Sequence, residues 1–264
     1  MKYFLKRLIF ILSLLVFLSV QSEATIVVLN GLTHENQVNA GESYRGVIQI
    51  QNTSDKARSV KIYQSDYWYS FTGENRHDSG GTLERSNSSW ITFNPEYVEL
   101  GPNEISTINF EVIVPAVQLV GSFWSVLMVE GITPADTARH TRGVTISTAI
   151  RYAVQVVTHI GETGTRDIKF LSLELGKQEE IPVIMAAIEN TGERMLRPEV
   201  SVELFDEEGN SAGIIKAERR KTFPGTSIMV AIRLEGIRPG KYTGILVAGC
   251  EDEYVFGTNL SIDI

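Results

Sequence analysis

Short runs rich in Val, Ile, Thr and Tyr recur along nearly the whole chain, broken by Gly, Pro, Asn and Asp at intervals of about ten residues. Almost no segment sustains the apolar period of a helix. This punctuation constrains the fold more than any other feature, because many short strands joined by tight turns pack as β-sandwiches. Strands read near 25–29, 43–51, 58–69, 89–93, 104–114, 121–130 and 143–158, then near 167–175, 181–190, 197–206, 211–220, 226–235, 241–249 and 254–263. The turns between them carry their own chemistry. "NTSDKA" (52–57) and "RPGKY" (238–242) are polar turns, and "DEEGN" (206–210) sets a Gly where a hairpin needs positive φ. "HIGETGTR" (159–166) is polar and carries two glycines. The expectation is an all-β chain of two consecutive immunoglobulin-like sandwiches, residues 25–158 and 167–264, with a linker at 159–166.

The first 24 residues fall outside that pattern. Lys2, Lys6 and Arg7 precede an apolar run from Leu8 to Val20, and Ser22-Glu23-Ala24 offers small residues where a signal peptidase reads. Residues 1–24 therefore read as a secretory signal peptide cleaved near Ala24, shorter in its apolar part than the ~20 residues of a spanning helix. No later stretch is long and apolar enough to span a bilayer, so the mature chain is expected in the periplasm, or secreted to the cell surface, of a bacterium. The formal charge of −8 becomes more negative once the leader is removed. An acidic surface argues against nucleic acid or anionic lipid as a partner. Cys250 is the single cysteine, so no internal disulfide forms, and its apolar context "GILVAGCEDEY" reads as a buried, inert thiol.

Catalytic chemistry finds little support. "RHDSGG" (76–81) contains the Asp-Ser-Gly-Gly string of trypsin-like nucleophile segments, but no upstream His stands in a comparable context, and the stretch reads as a Gly-rich turn around Ser79. His34, His77, His140 and His159 are scattered singly, without metal-ligand spacing. "DEEGN" and "CEDEY" bunch carboxylates without the ligand order of a calcium loop, and "GETGTR" lacks the spacing and following helix of a phosphate cradle. The chain is expected to be no enzyme and to need no cofactor or metal.

Two constellations remain as binding candidates. "SDYWYSF" (65–71) crowds aromatic rings together; in a strand Tyr67, Tyr69 and Phe71 face one way and Trp68 the other. Exposed rings on a sandwich stack on sugars, so Tyr67, Trp68 and Tyr69 are a candidate glycan or peptidoglycan site, with core packing as the competing use. The second is "RGVTISTAIRYAVQVVTHI" (142–160). Val144, Ile146, Thr148, Ile150, Tyr152, Val154 and Val156 alternate with polar or small residues, giving one apolar face over a length about twice that of an ordinary strand.

The most specific stretch is "SNSSWITFNPEYVELGPNEISTINFEVIVPAVQLVGSFWSVLMVEG" (86–131). With its "NPEYVELGPNE" corner, Val-Pro strand end and Gly-aromatic strand start, it resembles the N-terminal immunoglobulin-like domain of periplasmic pilus-type chaperones. It resembles still more the peptidoglycan-binding domain of WxL-interacting cell-surface proteins. "IPVIMAAIENTGERMLRPEVSVELFDEEGN" and "RPGKYTGILVAG" extend the second resemblance into the other half. The chaperone resemblance implies a partner, another exported or surface protein subunit, bound by β-strand addition along residues 143–158. It implies that Val144, Ile146, Ile150, Tyr152 and Val154 fill the partner's groove. It also implies a basic pair for the partner's terminal carboxylate: Arg151 matches one member, and "TIVVLNGLTH" (25–34) offers no Lys or Arg for the other. The WxL resemblance implies peptidoglycan as the alternative ligand.

Overall fold

The computed structural model describes residues 25–132, 150–250 and 253–264. They form an all-β chain of two immunoglobulin-like sandwiches, in which the one helical piece among the described residues is a 3-10 turn at Ser88–Trp90. The first sandwich contains β1 (Ile26–Val28), β2 (Thr33–Val38), β3 (Ser43–Asn52), β4 (Arg58–Tyr69), β5 (Asn75–Ser79), β6 (Ile91–Asn94), β7 (Tyr97–Leu100), β8 (Ile105–Ile113), β9 (Gly121–Ile132) and β10 (Arg151–Ile160). One sheet runs β1-β3-β8-β6; the other runs β2-β10-β9-β4-β5, with β7 also on β4. The second sandwich contains β11 (Ile168–Gln178), β12 (Ile181–Asn190), β13 (Glu199–Phe205), β14 (Ser211–Lys216), β15 (Ser227–Arg233), β16 (Lys241–Cys250) and β17 (Tyr254–Asp263). Its sheets run β11-β12-β15 and β14-β13-β16-β17. No helix among the described residues is long and apolar enough to cross a membrane.

Period-two patterning builds both cores. In β3, Ile48 and Ile50 turn fully inward while Val47 and Gln49 face out. They meet Ile108, Phe110 and Val112 of β8, and Leu127, Val129, Val154 and Val156 from the opposite sheet. The second core joins Ile184, Ile188, Val202, Leu204, Val230, Ile232, Leu246 and the buried Cys250. Each such side chain contributes about 1.5–3 kcal/mol by leaving water. Both sandwiches also bury an Asn at a strand end. The Asn52 Nδ2 donates to the Lys56, Leu100 and Gly101 carbonyls at 2.7, 3.2 and 2.9 Å, and the Asn190 Nδ2 donates to those of Arg194 and Thr222 at 2.8 and 3.1 Å. These amides satisfy turn carbonyls that would otherwise be orphaned inside the protein.

The chain's first strand region divides between the two sheets. β1 pairs antiparallel with β3, and β2 then pairs parallel with β10. Gly31, at φ +88°, takes the left-handed bend between them. Asn30 bridges the gap, its Nδ2 donating to the Val47 carbonyl at 2.7 Å and its Oδ1 accepting from the Gln49 N–H at 2.9 Å. The polar sequences of β2 (THENQV) and β5 (NRHDS), and the four residues of β7 (YVEL), form strands that apolar alternation does not predict. The strand expected at 143–158 runs from Arg151 to Ile160; residues 143–149 lie outside the described residues. The strand expected to 220 ends at Lys216.

The two halves meet in a packed joint. Trp124 of β9 stacks on Phe223 with centroids 4.7 Å apart and planes 17° apart, and Val157 and Met195 complete the cluster. The Ser122 Oγ accepts from the Met195 N–H at 2.8 Å and lies 2.8 Å from the His159 Nδ1. The Arg194 Nη1 donates to the Gly161 carbonyl at 2.7 Å.

Candidate functional site

β10 presents two faces and two edges. Its even-numbered residues Tyr152, Val154 and Val156 face the first core, while Val157 on the other face reaches the joint. On one edge, β9 pairs with it from Arg151 to Ile160. On the other, β2 pairs with it only from Gln155 to Ile160. The Gln155 N–H donates to the Leu32 carbonyl and the Gly161 N–H to that of Val38, each at 2.9 Å, so odd-numbered peptide groups point toward β2. Arg151 and Ala153 therefore aim their N–H and C=O groups at an edge that no strand among the described residues covers.

The expected site residues divide on this edge. Val144 and Ile146 lie outside the described residues. Ile150 is 39% exposed and ends the apolar row. Tyr152 packs against the first core, and Val154 is fully enclosed by it. The expectation that Val154 fills a partner's groove is thus corrected: its side chain is committed to its own sandwich. The Arg151 Nε lies 3.1 Å from the Glu130 Oε1, and the other oxygen of that carboxylate accepts from the Tyr63 hydroxyl at 3.0 Å. Arg151 is therefore already paired across the strands.

The free edge ends at a cleft of about 430 Å³ between the halves, lined by Tyr67, Tyr69, Gln155, Arg220, Lys221 and Ser227 among others. The Lys221 Nζ donates to the Gln155 Oε1 at 2.9 Å and the Thr33 Oγ1 at 3.0 Å, and lies 3.3 Å from the Glu35 carboxylate. Glu35 also accepts from Arg197, its shortest contact, and faces the His159 Nε2 at 4.0 Å. His159, Arg197 and Lys221 together hold the Glu35 carboxyl well below the usual carboxylate range, against the burial that raises it. Desolvation lowers the Lys221 ammonium, opposed by Glu35. Arg220 donates from Nη1 to the Met229 carbonyl at 3.0 Å and makes no ion pair among the described residues. It stands close to the two tyrosines: burial raises the Tyr67 hydroxyl, and the Arg220 charge opposes that rise. Arg220 and Lys221 escaped sequence reading. Their one signal is "ERRK" (218–221), a short basic run in an acidic chain.

The aromatic trio does not form one platform. The Trp68 Nε1 donates to the Gly225 carbonyl at 2.9 Å, and the Arg76 guanidinium covers its ring at 4.3 Å. The Tyr69 hydroxyl donates to the Lys221 carbonyl at 2.7 Å and its ring meets Phe223 edge-on. Tyr67 stacks on His77 at 4.9 Å and borders the cleft. Two of the three rings thus tie the halves together. Ser79 lies at the end of β5 on an exposed turn, its carbonyl accepting from the Thr82 hydroxyl. Among the described residues, no group of three or more His, Cys, Asp or Glu is placed to hold a metal ion.

No protein-family model and no curated protein matches the chain. Among solved structures, it is similar to the class 5 fimbriae chaperone CfaA, with 14% identity over 89% of this chain and 98% of that one and a TM-score of 0.48. It is similar to a chain of the Salmonella enterica SafA pilin–SafB chaperone complex, with 8% identity over 91% and 99% and a TM-score of 0.46. It is also similar to a chain of the Acinetobacter baumannii CsuC–CsuE chaperone–tip subunit complex, with 11% identity over 90% and 98% and a TM-score of 0.44.

Proposed function

We propose that this chain is an exported, non-enzymatic, chaperone-like protein that receives an extended segment of another exported protein as an added strand on β10. One observation carries the reading: Arg151 and Ala153 turn their peptide groups to an edge that β2 stops short of covering. Strand addition draws its affinity from such groups, and an uncovered edge invites it. The chaperone resemblance of residues 86–131 supports the same partner class. A strand laid along this edge and ending beside Gln155 meets the cleft with its terminal carboxylate, and Arg220, free of any acidic partner among the described residues, is the cation that receives it. The cation for a terminal carboxylate thus comes from the second sandwich rather than from the first strand. The glycan alternative has Tyr67 and Tyr69 beside the cleft, but the Tyr69 hydroxyl donates to the Lys221 carbonyl and Arg76 covers Trp68, so it is not preferred.

Hydrogen exchange on the isolated protein, at a concentration too low for dimers, tests the edge. The Arg151 and Ala153 amides are expected to exchange fast while those of Tyr152 and Val154 stay protected. Equal protection of all four overturns the reading. The anchor has its own test, a β-forming peptide with a free or an amidated C-terminus. The free acid is expected to bind about tenfold or more tightly, the scale of a charge-assisted hydrogen bond. Arg220→Gln erases the difference; equal affinity in the unmutated protein removes the anchor and leaves the edge standing.

A further inference from the structure

The second sandwich is open along one side. Its three-stranded sheet ends at β15 and its four-stranded sheet at β14, and among the described residues no strand pairs with the outer edge of either. The Leu234 N–H donates to the Pro182 carbonyl at 2.8 Å and the Asn190 N–H to that of Thr226 at 3.0 Å. These bonds set the even-numbered peptide groups of β15 toward β12, so those of Met229, Ala231 and Arg233 point outward. The Arg220 bond to the Met229 carbonyl reports the same direction and occupies that acceptor. The N–H and C=O groups of Ala231 and Arg233 remain along the edge, with the Ala231 side chain exposed.

This edge forms one bank of a groove of about 470 Å³, and the opposite bank is the segment that follows β14. Although the chain carries a formal charge of −8, the groove is lined by Lys216, Arg220 and Arg233 against the single carboxylate of Glu218. Lys216 and Arg233 pair at the surface with Glu199 and Glu235. Exposed pairs of this kind are worth about 0–1 kcal/mol and exchange readily for another carboxylate. A strand that enters here meets a backbone ladder on one side and cations at its ends and middle.

We propose that the groove takes an extended acidic peptide segment as an added strand on β15, its backbone bonded to Ala231 and Arg233 and its carboxylates set against Lys216, Arg220 and Arg233. This is a second acceptor edge, in the other sandwich from β10, and Arg220 is the one residue it shares with the cleft. The full mature chain is titrated with a blocked nine-residue peptide of alternating Val and Glu, and with its Val/Lys counterpart. Amide exchange is read residue by residue. The Val/Glu peptide is expected to slow the Ala231 and Arg233 amides at least tenfold, and the Val/Lys peptide to leave them unchanged. Lys216→Glu with Arg233→Glu abolishes the effect. Ala231→Pro also abolishes it while leaving the unfolding midpoint nearly in place, because that N–H serves no bond within the sheet. Absence of protection at millimolar peptide overturns the proposal. So does protection that survives Ala231→Pro, or equal protection by the linear polyanion alginate, which would assign the cations to polysaccharide. Protection confined to Arg151 and Ala153 overturns it too, and leaves the β10 reading intact.

Discussion

Gly121 opens β9 at φ +79°, and a methyl group built on its Cα overlaps the carbonyl of Glu193 in the other sandwich. Gly209, at φ +83° in the "DEEGN" turn, has open space at the same position. The pair separates conformational cost from contact cost. Gly209→Ala is expected to lose about 1–2 kcal/mol, the cost of left-handed backbone for an L-residue. Gly121→Ala adds about 1–3 kcal/mol of overpacking to that, and urea midpoints measure both. Equal losses would show that the joint yields to the methyl group. A charge tests the joint from the other side. Because the folded Glu35 carboxyl titrates below its ordinary value of 4.5, its stabilisation is fully present above that pH and fades as pH falls toward the folded value. Glu35→Gln is therefore expected to be less stable than the unmutated protein at pH 7, with the gap narrowing steadily below about pH 4.5. Urea unfolding of both proteins from pH 7 to pH 3 checks it, and a gap constant across that range refutes the assignment.

At the scale of elements, β10 is where legibility and its limits meet. Alternation from Val144 to Val156 marked a long strand with one apolar face, yet which stretch of its edge is covered depends on β2. That strand is polar because it lies at the sheet border and pairs in parallel with only half of β10. A period-two search cannot find THENQV, and without it the sequence cannot divide the strand at Gln155. The same alternation made Val154 look available, because an apolar face is identical in a sequence whether it meets a partner or its own core. β5 was missed for the first reason, and β7 because four residues are too few for alternation to register, although Val98 and Leu100 turn to the core. The cores are another matter: Ile48, Ile50, Ile184 and Ile188 sit in strongly alternating or continuous apolar runs, and those runs are strands. Ala153→Pro is the direct test of the divided edge. It removes an N–H that takes no part in the β9 ladder, so unfolding should shift by less than about 1 kcal/mol, as for proline on an edge strand. Strand addition by a β-forming peptide, read from amide protection at Arg151, should be lost. A large loss of stability would mean that this N–H is bonded within the fold.

At the scale of the molecule, the joint decides whether the two open edges work as parts of one body. Trp124, Val157, Met195 and Phe223 come from distant parts of the chain and make a buried apolar contact between sandwiches. Tyr69, Trp68 and Lys221 add hydrogen bonds around it. The aromatic cluster of "SDYWYSF" contributes Trp68 and Tyr69 here, so two of the rings that suggested sugar stacking also tie the sandwiches together. Phe223 is the residue to remove: it is fully buried, stacks on Trp124, meets Tyr69, and belongs to a turn rather than to either sheet's ladder. Phe223→Ala is expected to cost about 3–5 kcal/mol. If the joint couples the sandwiches, that cost falls on the coupling rather than on either core. One cooperative thermal transition should then divide into two, and the radius of gyration in solution should rise as the halves separate. A variant that stays compact and unfolds in one step at a lower temperature would show that Phe223 serves the second sandwich alone. The cleft would then owe its geometry to the polar contacts of Glu35, Arg194 and Lys221.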